Sequence, residues 1–248
     1  MKKNKKIAII TGGSRGIGKA TAKQLITDGY QVYICSKDKE EIKKVAQEIS
    51  AKYFVLDLSD KKEIQKFVKL WDKPIDVLVN NAGVYLTEKI EEKDKGVWDE
   101  VISVNLNGLY WLTKGLVKYI QDNGRIVNIS SQLGKEGRIG ADAYCVSKFG
   151  VIALTKCWAK ELGSRGIRVN AICPGWVKTE MLLHDFEKAA KEKGMIFEEF
   201  EKVVAKSLEL GRMTEPEEVA NFVSFLVSEK SKPISGRDYL INSISNRK

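Results

Sequence analysis

Seven short runs of apolar and β-branched residues alternate along the chain with longer stretches that carry an apolar stripe at helical spacing. This alternation restricts the fold more than any other feature. The runs fall at 7–11, 32–36, 53–56, 77–79, 125–130, 168–173 and 239–241, and helices are predicted over 16–29, 38–49, 60–71, 95–121, 144–163 and 215–228. Near-continuous apolar strands are buried on both faces, and helices between them serve as crossovers. The chain is therefore expected to be α/β, a parallel sheet covered by helices on both sides.

A chain of 248 residues, 43% hydrophobic and 30% charged, suffices for one such domain, and no Pro/Gly/Ser-rich linker, repeat or low-complexity segment divides it. Residues 1–248 are expected to form a single domain. Segment 181–211 interrupts the alternation with amphipathic pieces (MLLHDF, GMIFEEF, VVAKSLEL) placed where open α/β sheets bind ligands. It reads as a substrate lid, with a fixed structural excursion as the alternative. The basic start MKKNKK is followed by too short an apolar run for a signal peptide, and no stretch approaches the roughly 20 apolar residues of a membrane span. Cys35, Cys145, Cys157 and Cys173 lie far apart, without metal-site or disulfide spacing. A cytoplasmic protein with no membrane partner and no metal is expected. The net charge of +9 arises from lysines interleaved with glutamates, as in EEIKKVAQE, which describes a solvated surface rather than a nucleic-acid interface.

The first strand runs into Thr11-Gly-Gly-Ser-Arg-Gly-Ile-Gly18 and then a helix. Glycines in a strand-turn-helix let the backbone approach a pyrophosphate, whose charge is met by free N–H groups at the helix N-terminus. Gly12, Ser14, Arg15, Gly16, Ile17 and Gly18 are the candidate dinucleotide contacts. Asp57 and Leu58 follow the third strand, and Asn80-Asn81-Ala82-Gly83 follow the fourth. Taken singly, Asp57 reads equally as a helix N-cap and the asparagine pair as a turn.

Tyr144 and Lys148 stand at i and i+4, on one face of a helix. A free tyrosine titrates near pH ~10, and an adjacent ammonium is expected to lower that value by stabilising the phenolate. Alone the pair is commonly a surface feature. Ser131 at the end of a strand, with Ser130 as the neighbouring alternative, can donate to a carbonyl or developing alkoxide. Asn105 places an amide on an apolar helical face, where the alternative is a structural role.

Together these motifs resemble the short-chain dehydrogenase/reductase family: its Thr-Gly-x-x-x-Gly-x-Gly turn, the acid Asp57, the Asn-Asn-Ala-Gly segment, the quartet Asn105, Ser131, Tyr144 and Lys148, and the loop Pro174-Gly-Trp-Val-Lys-Thr179. The resemblance covers nearly the whole chain. It implies a doubly wound, Rossmann-type three-layer sandwich around a central seven-stranded parallel sheet. It also implies an NAD(P)-dependent oxidoreductase in which Tyr144 is the proton donor, Ser131 polarises the substrate, Lys148 also holds the nicotinamide ribose and Asn105 orders a relay water. Asp57 and Leu58 would lie at the adenine edge, Asn81, Ala82 and Gly83 along the cofactor, and Pro174, Gly175, Val177 and Thr179 at its nicotinamide end. The tail after Tyr239 departs from the Asp-Gly-Gly that many relatives carry.

At the adenosine end the second strand finishes in Ser36-Lys37, with Arg15 in the turn. An acid there reads a ribose hydroxyl, whereas cations read a 2′-phosphate. NADP(H) is expected to be preferred, tempered by Asp38, with NAD(H) possible. The long lid and the run Gly134–Arg138 are similar to acyl and polyketide ketoreductases, implying a 3-oxoacyl thioester, although Gln121-Asp122-Asn123 lacks the basic residues that carrier-protein reductases often show. Sugar or polyol dehydrogenation is the alternative, and a non-catalytic dinucleotide-binding scaffold is a third reading disfavoured by retention of Tyr144 and Lys148. The expected partner is a small carbonyl or alcohol. By resemblance, helices 95–121 and 144–163 pair across subunits of a homotetramer or dimer.

Overall fold

A computed structural model describes residues 5–242, apart from the side chains of His184 and Lys188. Seven parallel strands form one sheet in the order β3-β2-β1-β4-β5-β6-β7. They are β1 Ile7–Thr11, β2 Gln31–Ser36, β3 Lys52–Val55, β4 Ile75–Asn80, β5 Ile120–Ile129, β6 Arg168–Pro174 and β7 Asp238–Ile241. All seven predicted strands are present. Because consecutive strand residues point to opposite faces, Ile9 joins one apolar layer and Ile10 the other, and both are fully buried.

The layer containing Ile10 is closed by α1 Gly16–Thr27, α2 Lys39–Ile49 and α9 Pro216–Val227. The opposite layer is closed by α3 Lys61–Leu70, α5 Leu109–Leu116 and α6 Asp142–Glu161. The tail after Asn242, whose departure from the family pattern was noted, lies outside the described residues.

The single helix predicted over 95–121 is corrected. It is divided into α4 Val97–Ile102, a wider turn over Ser103–Gly108 and then α5, while β5 already begins at Ile120. Two contacts explain the wide turn. A Cβ on Gly108 would stand 2.3 Å from the Leu58 carbonyl oxygen, and the Asn105 amide reaches sideways to Val84. Inserted turns of this kind are frequent where a side chain must be aimed at a site. At the strand, Ile75 pairs with Ile120 but Val77 with Arg125, so residues 121–124 bulge, with Asn123 left-handed at φ 61°.

Segment 181–211 also acquires definite structure. It folds as α7 Glu180–Glu192 and α8 Phe197–Ser207 around a small core of its own, in which the Phe186 and Phe200 rings meet edge-on at 5.3 Å.

Beneath the C-terminal strand ends a buried polar chain ties β4, β5, α5 and α6 together. Asn80 Nδ2 donates to Thr113 Oγ1 at 3.0 Å and to Asn128 Oδ1 at 2.8 Å, and Asn128 Nδ2 donates to Thr155 Oγ1 at 2.8 Å. Asn128 is wholly inaccessible to water, so removing its amide leaves the Asn80 donor and the Thr155 acceptor with no solvent to turn to. Asn128→Ala is expected to cost about 2–4 kcal/mol in urea unfolding. A loss under about 1 kcal/mol would mean that water or rearrangement restores the bonds.

Candidate active site

The Gly-rich turn is held against the end of β4. Thr11 Oγ1 accepts from the N–H groups of Asn81 and Ala82, both at 3.0 Å, while Asn81 Nδ2 donates to the Thr11 and Gly12 carbonyls at 2.9 and 3.1 Å. Gly12 and Gly16 take positive φ, 63° and 51°, which favours glycine. A Cβ on Gly16 would stand 3.0 Å from Thr179 Cγ2, narrowing the throat between the turn and the Pro-Gly loop. A backbone cradle that side chains would fill, opening at the start of α1, fits a dinucleotide pyrophosphate.

The cleft measures about 290 Å³ and runs from Arg15, Ser36 and Lys37 to Tyr144 and Trp176. Every candidate cofactor residue lines it except Gly18. Gly18 sits behind the turn, where a Cβ would stand 2.0 Å from the Gly12 carbonyl oxygen, so its part is to let α1 pack close. The capping alternative for Asp57 is decided by geometry. Asp57 does not cap α3, a place taken by Asp60; its carboxylate accepts from Ser59 N–H and Oγ–H at 2.8 and 2.7 Å. Asp38 caps α2, accepting from Glu41 N–H at 2.8 Å.

At the other end, α6 carries Tyr144 and Lys148 in its first two turns, and β5 delivers Ser130 and Ser131 opposite them. Ser131 stands close enough to Tyr144 to favour its phenolate, whereas Ser130 donates to the Lys148 carbonyl at 2.9 Å. Of the two serines, Ser131 is the one set towards Tyr144. Lys148 Nζ lies 5.5 Å from the Tyr144 ring centroid and donates to the Ile129 carbonyl at 3.0 Å.

The expected lowering of Tyr144 is reversed. Burial pushes its phenol up to about 12, a rise that Ser131 only partly offsets. Burial also holds the Lys148 ammonium down to about 8. Tyr144 is partly and Lys148 almost wholly withdrawn from water, which penalises each charged form and outweighs the attraction inferred from spacing alone.

Asn105, 1% exposed, stands behind the cleft rather than in its wall. Its Oδ1 accepts from Val84 N–H at 2.8 Å, and its Nδ2 donates to the Val84 carbonyl at 2.9 Å and to Ser147 Oγ at 3.3 Å. With both amide protons committed, one Oδ1 lone pair remains for a water.

Sequence reasoning missed Tyr85, whose ring meets Tyr144 edge-on at 4.8 Å, and the packing of Arg138 over Trp176 at 4.4 Å. An aromatic two residues after the Asn-Asn-Ala-Gly segment was the available signal for Tyr85. Nothing local announces the Arg138–Trp176 contact, because it joins two loops. Met181 and Leu182 of the α7 segment add apolar wall beside them. Among the described residues, Gln132 Oε1 and Trp176 Nε1 are buried without a hydrogen-bond partner, polar capacity beside the reacting end.

Comparison with known proteins agrees with this geometry. The short chain dehydrogenase family model matches residues 6–190. A 3-oxoacyl-[acyl-carrier-protein] reductase of Thermotoga maritima is 39% identical over 245 residues, covering 94% of each chain. An acetoacetyl-CoA reductase of Rhizobium meliloti is 36% identical over 237 residues, covering 93% of this chain and 94% of its own. Among solved structures, a variant of actinorhodin polyketide ketoreductase with NADPH superposes with a TM-score of 0.89 at 31% identity, covering 96% of both chains. With the doubly wound parallel sheet and this match over most of its length, the chain belongs to the short-chain dehydrogenase/reductase family of nicotinamide-dependent oxidoreductases.

Proposed function

We propose that the protein reduces a ketone to a secondary alcohol with NADPH, and that a 3-oxoacyl thioester is its substrate. The observation that carries this reading is that Tyr144, Ser131 and Lys148 line the same cleft that begins at the Gly-rich turn. The similar 3-oxoacyl and acetoacetyl-CoA reductases support the substrate class. Apolar walls from Met181 and Leu182 favour an acyl chain over a polyol.

Gly12, Ser14, Arg15, Gly16, Ile17, Ser36, Lys37, Asp57, Leu58, Asn81, Ala82, Gly83, Pro174, Gly175, Val177 and Thr179 would hold the cofactor, which supplies hydride to the carbonyl carbon when bound. Ser131 donates a hydrogen bond to the carbonyl oxygen and fixes its position. Tyr144 gives its proton to that oxygen as negative charge develops there. Lys148, as the ammonium, stabilises the phenolate left behind and holds the nicotinamide ribose. Asn105 is a positioning residue, clamping the Val84 backbone beside Gly83. A high phenol pKa suits this direction, because the group must arrive protonated.

Residues 181–211 act as a lid over the substrate, hinged near Trp176, whose ring packs 5.1 Å from Phe186. Trp98 on α4 and Val146 and Phe149 on α6 are each about half exposed, apolar area suited to pairing of these helices in a homotetramer. Among the described residues no helix is long and apolar enough to cross a membrane, and the four cysteines are free, in keeping with a cytoplasmic setting.

Tyr144→Phe keeps the ring packing and removes the proton. It is expected to lower kcat for acetoacetyl-CoA reduction about 10³-fold with NADPH affinity unchanged within about threefold; an unchanged rate overturns the mechanism. The pH profile follows from Lys148. Its ammonium predominates below about 8 and is lost above, while Tyr144 stays protonated throughout. The kcat/KM for reduction should be level below about pH 7 and fall roughly tenfold per unit above 8. A profile flat to pH 10 removes the ammonium from the mechanism.

A further inference from the structure

Behind the adenosine end of the cleft stands an acid supplied by a helix rather than by the strand end. The sequence Asp38-Lys-Glu-Glu41 has the form of a capping box, in which the fourth residue's carboxylate returns to the first residue's N–H. Half of that box forms, since Asp38 accepts from Glu41 N–H at 2.8 Å. The Glu41 carboxylate instead turns to the Gly-rich turn, where Oε2 accepts from Ser14 Oγ at 2.7 Å. Ser14 is 4% exposed and also lies 3.3 Å from Ser36 Oγ. A hydroxyl has one proton, and the shorter, charge-assisted contact takes it.

Ser14, Ser36, Arg15 and Lys37 line the part of the cleft that the preference for NADPH requires to receive a 2′-phosphate. Such a phosphate needs the Ser14 proton for itself. It also brings negative charge against the carboxylate that now holds that proton. A plain ribose 2′-hydroxyl has no such conflict, because it can donate to the same carboxylate.

Resting on the NADPH reading above, we propose that Glu41 is a specificity-determining residue that opposes the 2′-phosphate and keeps discrimination between the two nicotinamide dinucleotides narrow. Arg15 and Lys37 attract the phosphate, Glu41 repels it, and the net preference is their difference. Glu41 does this through the side chain of Ser14 and through charge, without approaching the reacting end.

The test uses Glu41→Gln, which retains an acceptor for Ser14 and the helical position while removing the charge. Dissociation constants are measured by titration calorimetry for adenosine 2′,5′-bisphosphate and for ADP, with wild type and variant at low salt. The variant is expected to bind the 2′-phosphorylated nucleotide about tenfold more tightly, with ADP changed less than about twofold. Raising salt to 0.5 M should shrink the gain, since screening weakens a partly exposed repulsion. Equal changes for both nucleotides, or none for either, overturn the proposal. A wild-type kcat/KM higher with NADH than with NADPH would refute the NADPH preference itself, while the variant's selective gain would still identify Glu41.

Discussion

The clamp between the ends of β1 and β4 is the constraint on which the rest of the molecule depends. Thr11 Oγ1 holds two N–H groups of the Asn81-Ala82 segment, and the Asn81 amide answers with two bonds to the Gly-rich turn. These strands are neighbours at the centre of the sheet, where the order of connections reverses. The chain leaves β1 into α1 on one face and proceeds from β4 towards α5 on the other, so the loops part and leave a crevice. Close backbone approach keeps that crevice shallow at its floor, and residues remote in sequence then share one wall.

The fold was legible because buried parallel strands announce themselves as short apolar runs, and all seven lie within a few residues of their expected places. The division of 95–121 was not. Apolar residues keep helical spacing straight through it, and the causes, Gly108 against the Leu58 carbonyl and Asn105 against Val84, are tertiary. An amide on an apolar face was the one local sign. In the site, positions that demand glycine or a fixed strand-end residue could be read directly, because backbone geometry dictates them. Arg138 and the Glu41 carboxylate could not, since each acts across a gap between segments.

The sign of the Tyr144 shift shows where spacing stops being informative. An i, i+4 pair specifies proximity, and proximity of an ammonium to a phenol predicts a lowered value. It says nothing of depth. Here Tyr144 is partly buried, Lys148 is 4% exposed, and its Nζ is directed to the Ile129 carbonyl. Desolvation therefore dominates for each. The outcome is a phenol that waits protonated and an ammonium that titrates within reach of neutrality, a combination suited to delivering a proton rather than removing one.

The two ends of the cleft are consequently governed by different physics. At the reacting end the polar groups are buried, paired through β5 and α6, and each contact is strengthened by exclusion of water. At the adenosine end Arg15 and Lys37 are exposed, and charges there act through a high dielectric and are screened by salt. Individual exposed charges contribute little, so nucleotide preference is a balance of small opposing effects, whereas the chemistry rests on a few strong ones. Because the β1–β4 clamp lies between the two ends, the balance at one can change without displacing Tyr144 at the other. Cofactor choice is thus the more readily altered property of this fold, and Tyr144, Ser131 and Lys148 the less tolerant one.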